Sequence, residues 1–204
     1  MSSEPTVFVI DDEDAVRDSI RMLLERRGYK TSVFASADEF LRRLSPSASG
    51  CIVSDVRLNG VSGLDLQRKL AESGSTLPII LITGHGDIDM AVLAIKRGAF
   101  DFIEKPFDDT RLYQSVAEAL AERRQEQARC EAAAAMKMRI AELSDRQREV
   151  MMLLVDGLSN KEIAQKLGIS HRTVETYRAF VMAKTDAQSL ADLVKLAMRA
   201  GVTS

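Results

Sequence analysis

Five short β-branched runs alternate with longer helical stretches between Thr6 and Phe107, and this alternation restricts the fold more than any other feature. Strands joined by such crossovers pair in parallel and are buried on both faces. The runs are Val7-Phe-Val-Ile10, Thr31-Ser-Val-Phe34, Cys51-Ile-Val-Ser54, Ile79-Ile-Leu-Ile82 and Phe100-Asp-Phe-Ile103. The pattern predicts a doubly wound α/β domain with a five-stranded parallel sheet over residues 1–124.

Capping residues and glycines divide the remainder of this domain into five helices. The signals are Gly28 after the first helix, Ser36-x-x-Glu39 and Ser62-x-x-Asp65 at the second and third, Ile88 and Gly98 around the fourth, and Thr110 near the start of the fifth. Residues 112–143 contain no Gly or Pro. We therefore expect the fifth helix to continue into a helical linker over 125–143. Its apolar stripe turns polar after Leu120, which disfavours a long coiled coil but leaves a short dimer contact open.

The pattern is wholly helical over residues 144–204, where we predict an all-α domain of four helices. Capping boxes begin at Ser144 and Ser159. Only Gly168, Ile169 and Ser170 separate the second helix from the third. This is helix-turn-helix spacing, and it makes the domain a candidate DNA-binding module.

Charge and cysteine content exclude few functions by themselves. Residues 144–204 carry 9 basic and 7 acidic side chains, against 16 and 20 in residues 1–124. This slight excess is weak evidence for nucleic-acid binding. Cys51 and Cys130 are too few for a disulfide framework or a four-ligand zinc site, so we expect reduced structural thiols. Without a membrane-spanning run or a signal segment, a cytoplasmic protein is expected.

Polar residues follow four of the five predicted strands. Asp11 and Asp12 follow the first, Asp55 the third, Thr83 the fourth and Lys105 the fifth. The carboxyl ends of parallel strands meet at one edge, so these side chains should converge. Three close carboxylates repel by about 4 kcal/mol per pair at an effective dielectric near 20. Lys105 and a divalent cation would offset this, and hard oxygen ligands favour Mg²⁺.

Asp55 is distinguished by its place at the end of the central strand. It precedes the loop Asn59-Gly-Val-Ser-Gly63, where we expect an exposed side chain. An exposed carboxylate beside Mg²⁺ and Lys105 can attack a phosphoryl donor in line and form an aspartyl phosphate.

The third helix of the second domain, from His171 to Lys184, has small and hydrogen-bonding residues opposite Val174 and Val181. Such a face suits the major groove, where Glu175 can accept from cytosine N4 and Thr176 can contact a thymine methyl group. The candidate DNA contacts are Lys161, Arg172, Thr173, Glu175, Thr176, Arg178 and Lys184. The cationic members are expected to meet phosphates.

Several motifs together resemble one protein family. VFVIDDED, VSDVR, LITGHGD and DFIEKPF resemble the receiver domain of two-component response regulators. LSDRQREV, GLSNKEIAQKLGIS and RTVETYRAFVMAK are similar to the LuxR-type helix-turn-helix of the FixJ family. The resemblance implies Mg²⁺ held by Asp12, Asp55 and the Arg57 carbonyl with help from Asp11, phosphate acceptance by Asp55, and phosphoryl contacts from Thr83 and Lys105.

The resemblance also implies a switch in which Thr83 moves toward the phosphoryl group and Phe102 rotates into the vacated volume. The implied partners are a sensor histidine kinase, double-stranded promoter DNA, a second copy of the chain after phosphorylation, and RNA polymerase. The helix over 88–97 and the strand of Phe102 would form the dimer surface. Asn59 stands where the family usually has proline, so we expect a more mobile loop there. A cis Lys105–Pro106 bond is also a family feature.

Two other functions fit parts of the pattern. The first domain could be a self-hydrolysing phosphate sink, with the helical domain docking a protein. A haloacid-dehalogenase-type phosphatase fits less well, because Asp55 ends the third strand and that chemistry places its nucleophile on the first. His85 lies near Thr83 without an identified serine or cysteine partner, so we expect a loop residue rather than a catalytic base.

Overall fold

The computed structural model describes residues 4–84 and 88–202, and its first part is built on one parallel sheet. The strands are β1 (Thr6–Ile10), β2 (Lys30–Phe34), β3 (Gly50–Asp55), β4 (Ile79–Thr83) and β5 (Asp101–Glu104). Their order is β2-β1-β3-β4-β5, and every neighbouring pair is parallel. The predicted five-stranded parallel sheet is therefore confirmed, with β3 in the centre.

Helices cover both faces of this sheet. They are α1 (Asp14–Arg26), α2 (Ala37–Arg43), α3 (Gly63–Glu72), α4 (Ile88–Lys96) and α5 (Asp109–Ala141). One core cluster contains Ile20 of α1 and Leu112 of α5, and the other contains Phe40 of α2 and Leu66 of α3. Burial from both sides explains why every residue of β3 and β4 is buried, rather than every second one.

Helix starts follow the predicted capping residues with one difference. Ser36 accepts the N–H of Glu39, but the Glu39 carboxylate accepts the N–H of Ala35 instead of returning to Ser36. The reciprocal capping box predicted there is therefore incomplete. Both reciprocal bonds are present at Ser144 and Ser159.

The second part contains α6 (Asp145–Val155), α7 (Asn160–Leu167), α8 (His171–Thr185) and α9 (Leu190–Arg199), which confirms the four predicted helices. Gly168 ends α7 at φ 65°, a left-handed conformation that glycine adopts without strain. Three residues join α7 to α8, so the helix-turn-helix spacing holds in the structure.

Backbone contacts divide the chain into two compact units, Met1–Gln125 and Glu126–Ser204. The long helix α5 runs from the first unit into the second, as the absence of Gly and Pro predicts. Met136, Ile140 and Leu143 are buried in the apolar core of the second unit. The end of the predicted linker therefore belongs to that core rather than acting as a bare spacer.

Three remaining predictions concern the thiols, the membrane and His85. Both cysteines are free, and burial raises the pKa of the Cys51 thiol to about 12, whereas Cys130 is exposed on α5. Neither cysteine forms a disulfide, in agreement with the expected reduced thiols. Within residues 4–84 and 88–202 no helix is long and apolar enough to cross a membrane. His85 lies outside the described residues.

Candidate phosphoacceptor site and nucleic-acid interface

The strand register brings the predicted site residues to one edge of the sheet. Ile10 of β1 pairs with Ser54 of β3, so Asp11 and Asp55, the residues that follow them, are neighbours. Thr83 ends β4 beside β5, and its carbonyl accepts the N–H of Lys105 at 2.7 Å. Residues that are far apart in sequence therefore meet where parallel strands end, as predicted.

The Lys105 ammonium joins two carboxylates at this edge. Its Nζ lies 2.6 Å from Asp55 Oδ1 and 3.3 Å from Asp11 Oδ2. Asp55 Oδ2 also accepts the N–H of Arg57 at 2.6 Å, and Asp11 Oδ1 accepts the N–H of Glu13 at 2.9 Å. Each carboxylate thus has one cationic and one backbone donor, which offsets both its desolvation and the repulsion between the pair.

Burial and charge act in opposite directions on the pKa values of this cluster. Burial raises the pKa of Asp11 above its ordinary value, although the Glu13 N–H and the Lys105 charge work against it. Burial also disfavours the ammonium of Lys105, but the contacts with Asp55 and Asp11 hold its pKa above the ordinary lysine value. Lys105 therefore stays charged at neutral pH.

Asp55 is less accessible than the sequence analysis predicts. We expected an exposed carboxylate, but only 10% of its side chain is exposed. That expectation is wrong: the ammonium of Lys105, the residue that follows β5, and the Arg57 N–H contact the two carboxylate oxygens.

The acidic cluster is also smaller than predicted. Three carboxylates were expected to converge, yet among the residues that the structure describes no three carboxylate, thiol or imidazole groups form a metal-binding set. Asp12 is partly exposed, and Lys105 bridges the other two. Two carboxylates suffice for Mg²⁺, which keeps several waters. The hard oxygens of Asp12, Asp55 and the Arg57 carbonyl therefore still fit this ion as a donor set.

Gly63 is a site residue that the sequence analysis did not single out. A Cβ at this position would lie 2.4 Å from the Asp55 carbonyl oxygen and 3.1 Å from Val56 Cα. Its N–H donates to the Val56 carbonyl at 3.0 Å. Only a residue without a side chain allows α3 to start this close to the end of β3. The sequence does contain one signal for this role: Gly63 is the first residue of α3 and directly follows the capping residue Ser62.

The two predicted switch residues are packed differently. Thr83 is fully buried, and Phe102 is partly buried against the core that contains Phe40 and Leu66. The Lys105–Pro106 peptide bond is cis, as the resemblance implies.

The predicted DNA contacts lie on α7 and α8, and their side chains differ in exposure to solvent. Lys161, Arg172, Glu175, Thr176 and Lys184 are exposed, whereas Thr173 and Arg178 are partly buried.

Several of these side chains have partners within the second unit. Thr173 bonds the capping hydroxyl of Ser170 at 2.7 Å. Arg178 donates to Asn160 Oδ1 at 3.3 Å. Lys184 Nζ lies 2.6 Å from a carboxylate oxygen of Glu142, at the end of α5.

Known protein families account for both units. Residues 7–117 match the response regulator receiver domain, and residues 141–197 match the bacterial regulatory proteins of the luxR family. A receiver domain followed by a luxR-type domain defines a two-component transcriptional regulator. The luxR match makes the helical unit a DNA-binding domain rather than the protein-docking module left open above.

Relatives over nearly the full chain specify the family. The transcriptional regulatory protein FixJ of Bradyrhizobium diazoefficiens is 46% identical, over 99% of this chain and 98% of its own length. DctR, a C4-dicarboxylate transport transcriptional regulatory protein of Rhodobacter capsulatus, is 41% identical over 94% and 98%. The response regulator StyR matches with a TM-score of 0.82 at 38% identity, over 97% of this chain and 100% of that chain. The chain belongs to the FixJ family of two-component response regulators, which confirms the resemblance.

Proposed function

We propose that Asp55 accepts a phosphoryl group from a sensor histidine kinase, and that this modification promotes dimerisation and binding of α8 to promoter DNA. The observation that carries the proposal is the 2.6 Å contact between Asp55 Oδ1 and Lys105 Nζ at the end of the central strand. The contact places a nucleophilic oxygen and a fixed positive charge where a phosphoryl group would develop negative charge.

The chain's own groups supply most of the proposed chemistry. An Asp55 oxygen attacks phosphorus in line, the phosphorus–nitrogen bond of the donor histidine breaks, and the departing imidazole takes up a proton. Lys105 leaves its contact with Asp55 and pairs with a phosphoryl oxygen, while the Arg57 N–H keeps the other Asp55 oxygen in place. Mg²⁺ held by Asp12, Asp55 and the Arg57 carbonyl, with help from Asp11, would neutralise further phosphoryl charge.

Phosphorylation of Asp55 then changes the packing around Thr83 and Phe102. Thr83 is fully buried at the end of β4, and Phe102 lies on the neighbouring strand β5. A shift of the Thr83 hydroxyl toward the phosphoryl group frees volume for the Phe102 ring. The exposed apolar side chains of α4, which include Ile88 and Val92, then form the dimer surface with β5.

In this proposal the second unit binds promoter DNA. We place Lys161 and Arg172 on DNA phosphates and Glu175 and Thr176 on base edges, with Thr173, Arg178 and Lys184 as supporting contacts. The outcome is transcriptional activation through RNA polymerase, in the cytoplasm where promoter DNA lies. The receiver catalyses only its own phosphorylation and dephosphorylation.

The test compares Asp55→Asn with Asp18→Asn, which removes an exposed carboxylate from α1. With acetyl phosphate and Mg²⁺, sedimentation analysis should show the native chain and Asp18→Asn shifting toward dimer and Asp55→Asn remaining unchanged. Equal dimerisation of all three would contradict the proposal. DNA binding should weaken steeply with salt, since phosphate contacts release counterions.

A further inference from the structure

Phe180 is an exposed aromatic residue on the helix that follows the helix-turn-helix turn. Its relative exposure is 58%, whereas Val174 and Val181 on the same helix are fully buried. An aromatic ring is usually buried in a core or an interface because leaving it in water is costly. Phe180 belongs to none of the three apolar clusters formed by the described residues, so packing in those cores does not explain it.

The surroundings of Phe180 indicate what it can contact. It lines a shallow groove along α8 whose other apolar members, Ala179 and Ala183, are small. Arg172 stands at the first turn of the helix, and Lys184 at the last turn. The groove therefore has an aromatic ring between small residues, with cations toward both ends.

Duplex DNA fits this surface better than an apolar protein does. Phe180 follows Arg172 by eight positions, which is about 12 Å along a helix and close to the width of the major groove. Arg172 and Lys184 match phosphates on either side of a groove, with Lys184 exchanging its 2.6 Å contact with Glu142 for a phosphate. The small residues allow close approach. An apolar protein partner would instead desolvate the exposed charged groups of Arg172 and Glu175, which is costly.

We infer that Phe180 determines sequence specificity by packing on the C5-methyl group of a thymine in the major groove. The inference rests on the proposed DNA binding of α8. A phenyl ring cannot hydrogen-bond, so among the major-groove edges it can distinguish only the thymine methyl, the single apolar feature there. Glu175 and Thr176 then read hydrogen-bonding edges nearby, and Phe180 adds a position that polar side chains would not define.

The test removes the methyl group without disturbing a hydrogen bond. The full chain, treated with acetyl phosphate and Mg²⁺, selects duplexes from a synthetic pool with a randomised centre. Each thymine of the selected site is then replaced by uracil in turn, and the dissociation constant is measured for the native chain, Phe180→Ala and Phe180→Leu. Circular dichroism checks that both variants keep their helices.

One thymine per half-site should lose about fourfold in affinity on replacement, the change expected for one buried methyl-sized group. Phe180→Ala should show no loss at that position, and Phe180→Leu, which retains apolar contact, should keep part of it. If the native chain and Phe180→Ala respond equally to every replacement, the inference is overturned while DNA binding stands. If the native chain enriches no sequence, the proposed function and the inference both fail.

Discussion

At the level of single residues, the Lys105 ammonium offsets the repulsion between the neighbouring carboxylates of Asp11 and Asp55. Lys105 contacts both Asp11 and Asp55, and each carboxylate is mostly removed from water. Two like charges this close, without the ammonium, would favour uptake of a proton by one of them. The site is thus held charged by a residue 50 positions from Asp55 in the sequence.

Replacing Lys105 by Met should therefore change the pH dependence of folding. In metal-free buffer we expect a loss of about 1 to 3 kcal/mol at pH 7, because two partly buried carboxylates remain unpaired. The folded-state pKa of one carboxylate then rises above its unfolded value, so the variant should gain stability as the pH falls from 7 toward 5. Urea unfolding between pH 7 and pH 5 measures this pH dependence of stability, with Lys96→Met, at an exposed lysine, as the control. A parallel pH profile for Lys105→Met and the native chain would contradict the prediction.

Gly63 has a steric role that is separable from glycine flexibility. An alanine Cβ would lie 2.4 Å from the Asp55 carbonyl oxygen, so α3 or the end of β3 must move. We expect Gly63→Ala to lower the free energy of unfolding by about 1 to 3 kcal/mol, as overpacking does. Gly84→Ala is the matched control, because no atom of the described residues lies within 4 Å of its Cβ position. Equal urea midpoints for the two variants would show that Gly63 has no packing role.

At the level of elements, a feature can be predicted from the sequence when the residues that determine it lie within one element or one turn. The strands follow from their β-branched runs, and the α7–α8 turn follows from Gly168 between two capped helices. The burial of Asp55 could not be predicted, because it depends on a lysine brought in by β5. The Glu142–Lys184 pair likewise requires knowing that the end of α5 packs beside α8.

The sequence near the end of α5 contains a short apolar stripe that predicts burial. The apolar positions of α5 turn polar after Leu120, but Met136, Ile140 and Leu143 resume an apolar stripe at helical spacing. All three are buried in the core of the second unit. A coiled-coil search over the whole segment misses such a short stripe, because it spans only two turns.

Two methionines on α5 test this packing in the same helix. Met136 is 4% exposed and Met138 is 67% exposed. We expect Met136→Ala to lower the unfolding free energy of the second unit by about 2 to 5 kcal/mol, and Met138→Ala to change it by less than about 0.5 kcal/mol. Thermal and urea unfolding followed by circular dichroism distinguish them. Similar, small losses for both would mean that α5 does not complete this core.

At the level of the whole molecule, each unit has its own apolar core and its own chemistry. The first unit concentrates opposite charges at one edge of its sheet, and the second presents cations and a phenyl ring along one helix. Sequence motifs were sufficient to predict the fold class and the family. They did not show which side chains are already paired, since pairing depends on contacts between distant elements.

The central claim, that Asp55 is the phosphoacceptor, can be tested by locating the phosphoryl group. Trypsin should release Leu44–Arg57, in which Asp55 is the single carboxylate side chain, and Met1–Arg17, which carries Asp11 and Asp12. After treatment with acetyl phosphate and Mg²⁺, mass spectrometry should find one hydroxylamine-sensitive phosphoryl group on Leu44–Arg57 and none on Met1–Arg17. A phosphoryl group on Met1–Arg17, or on neither peptide, would contradict the claim.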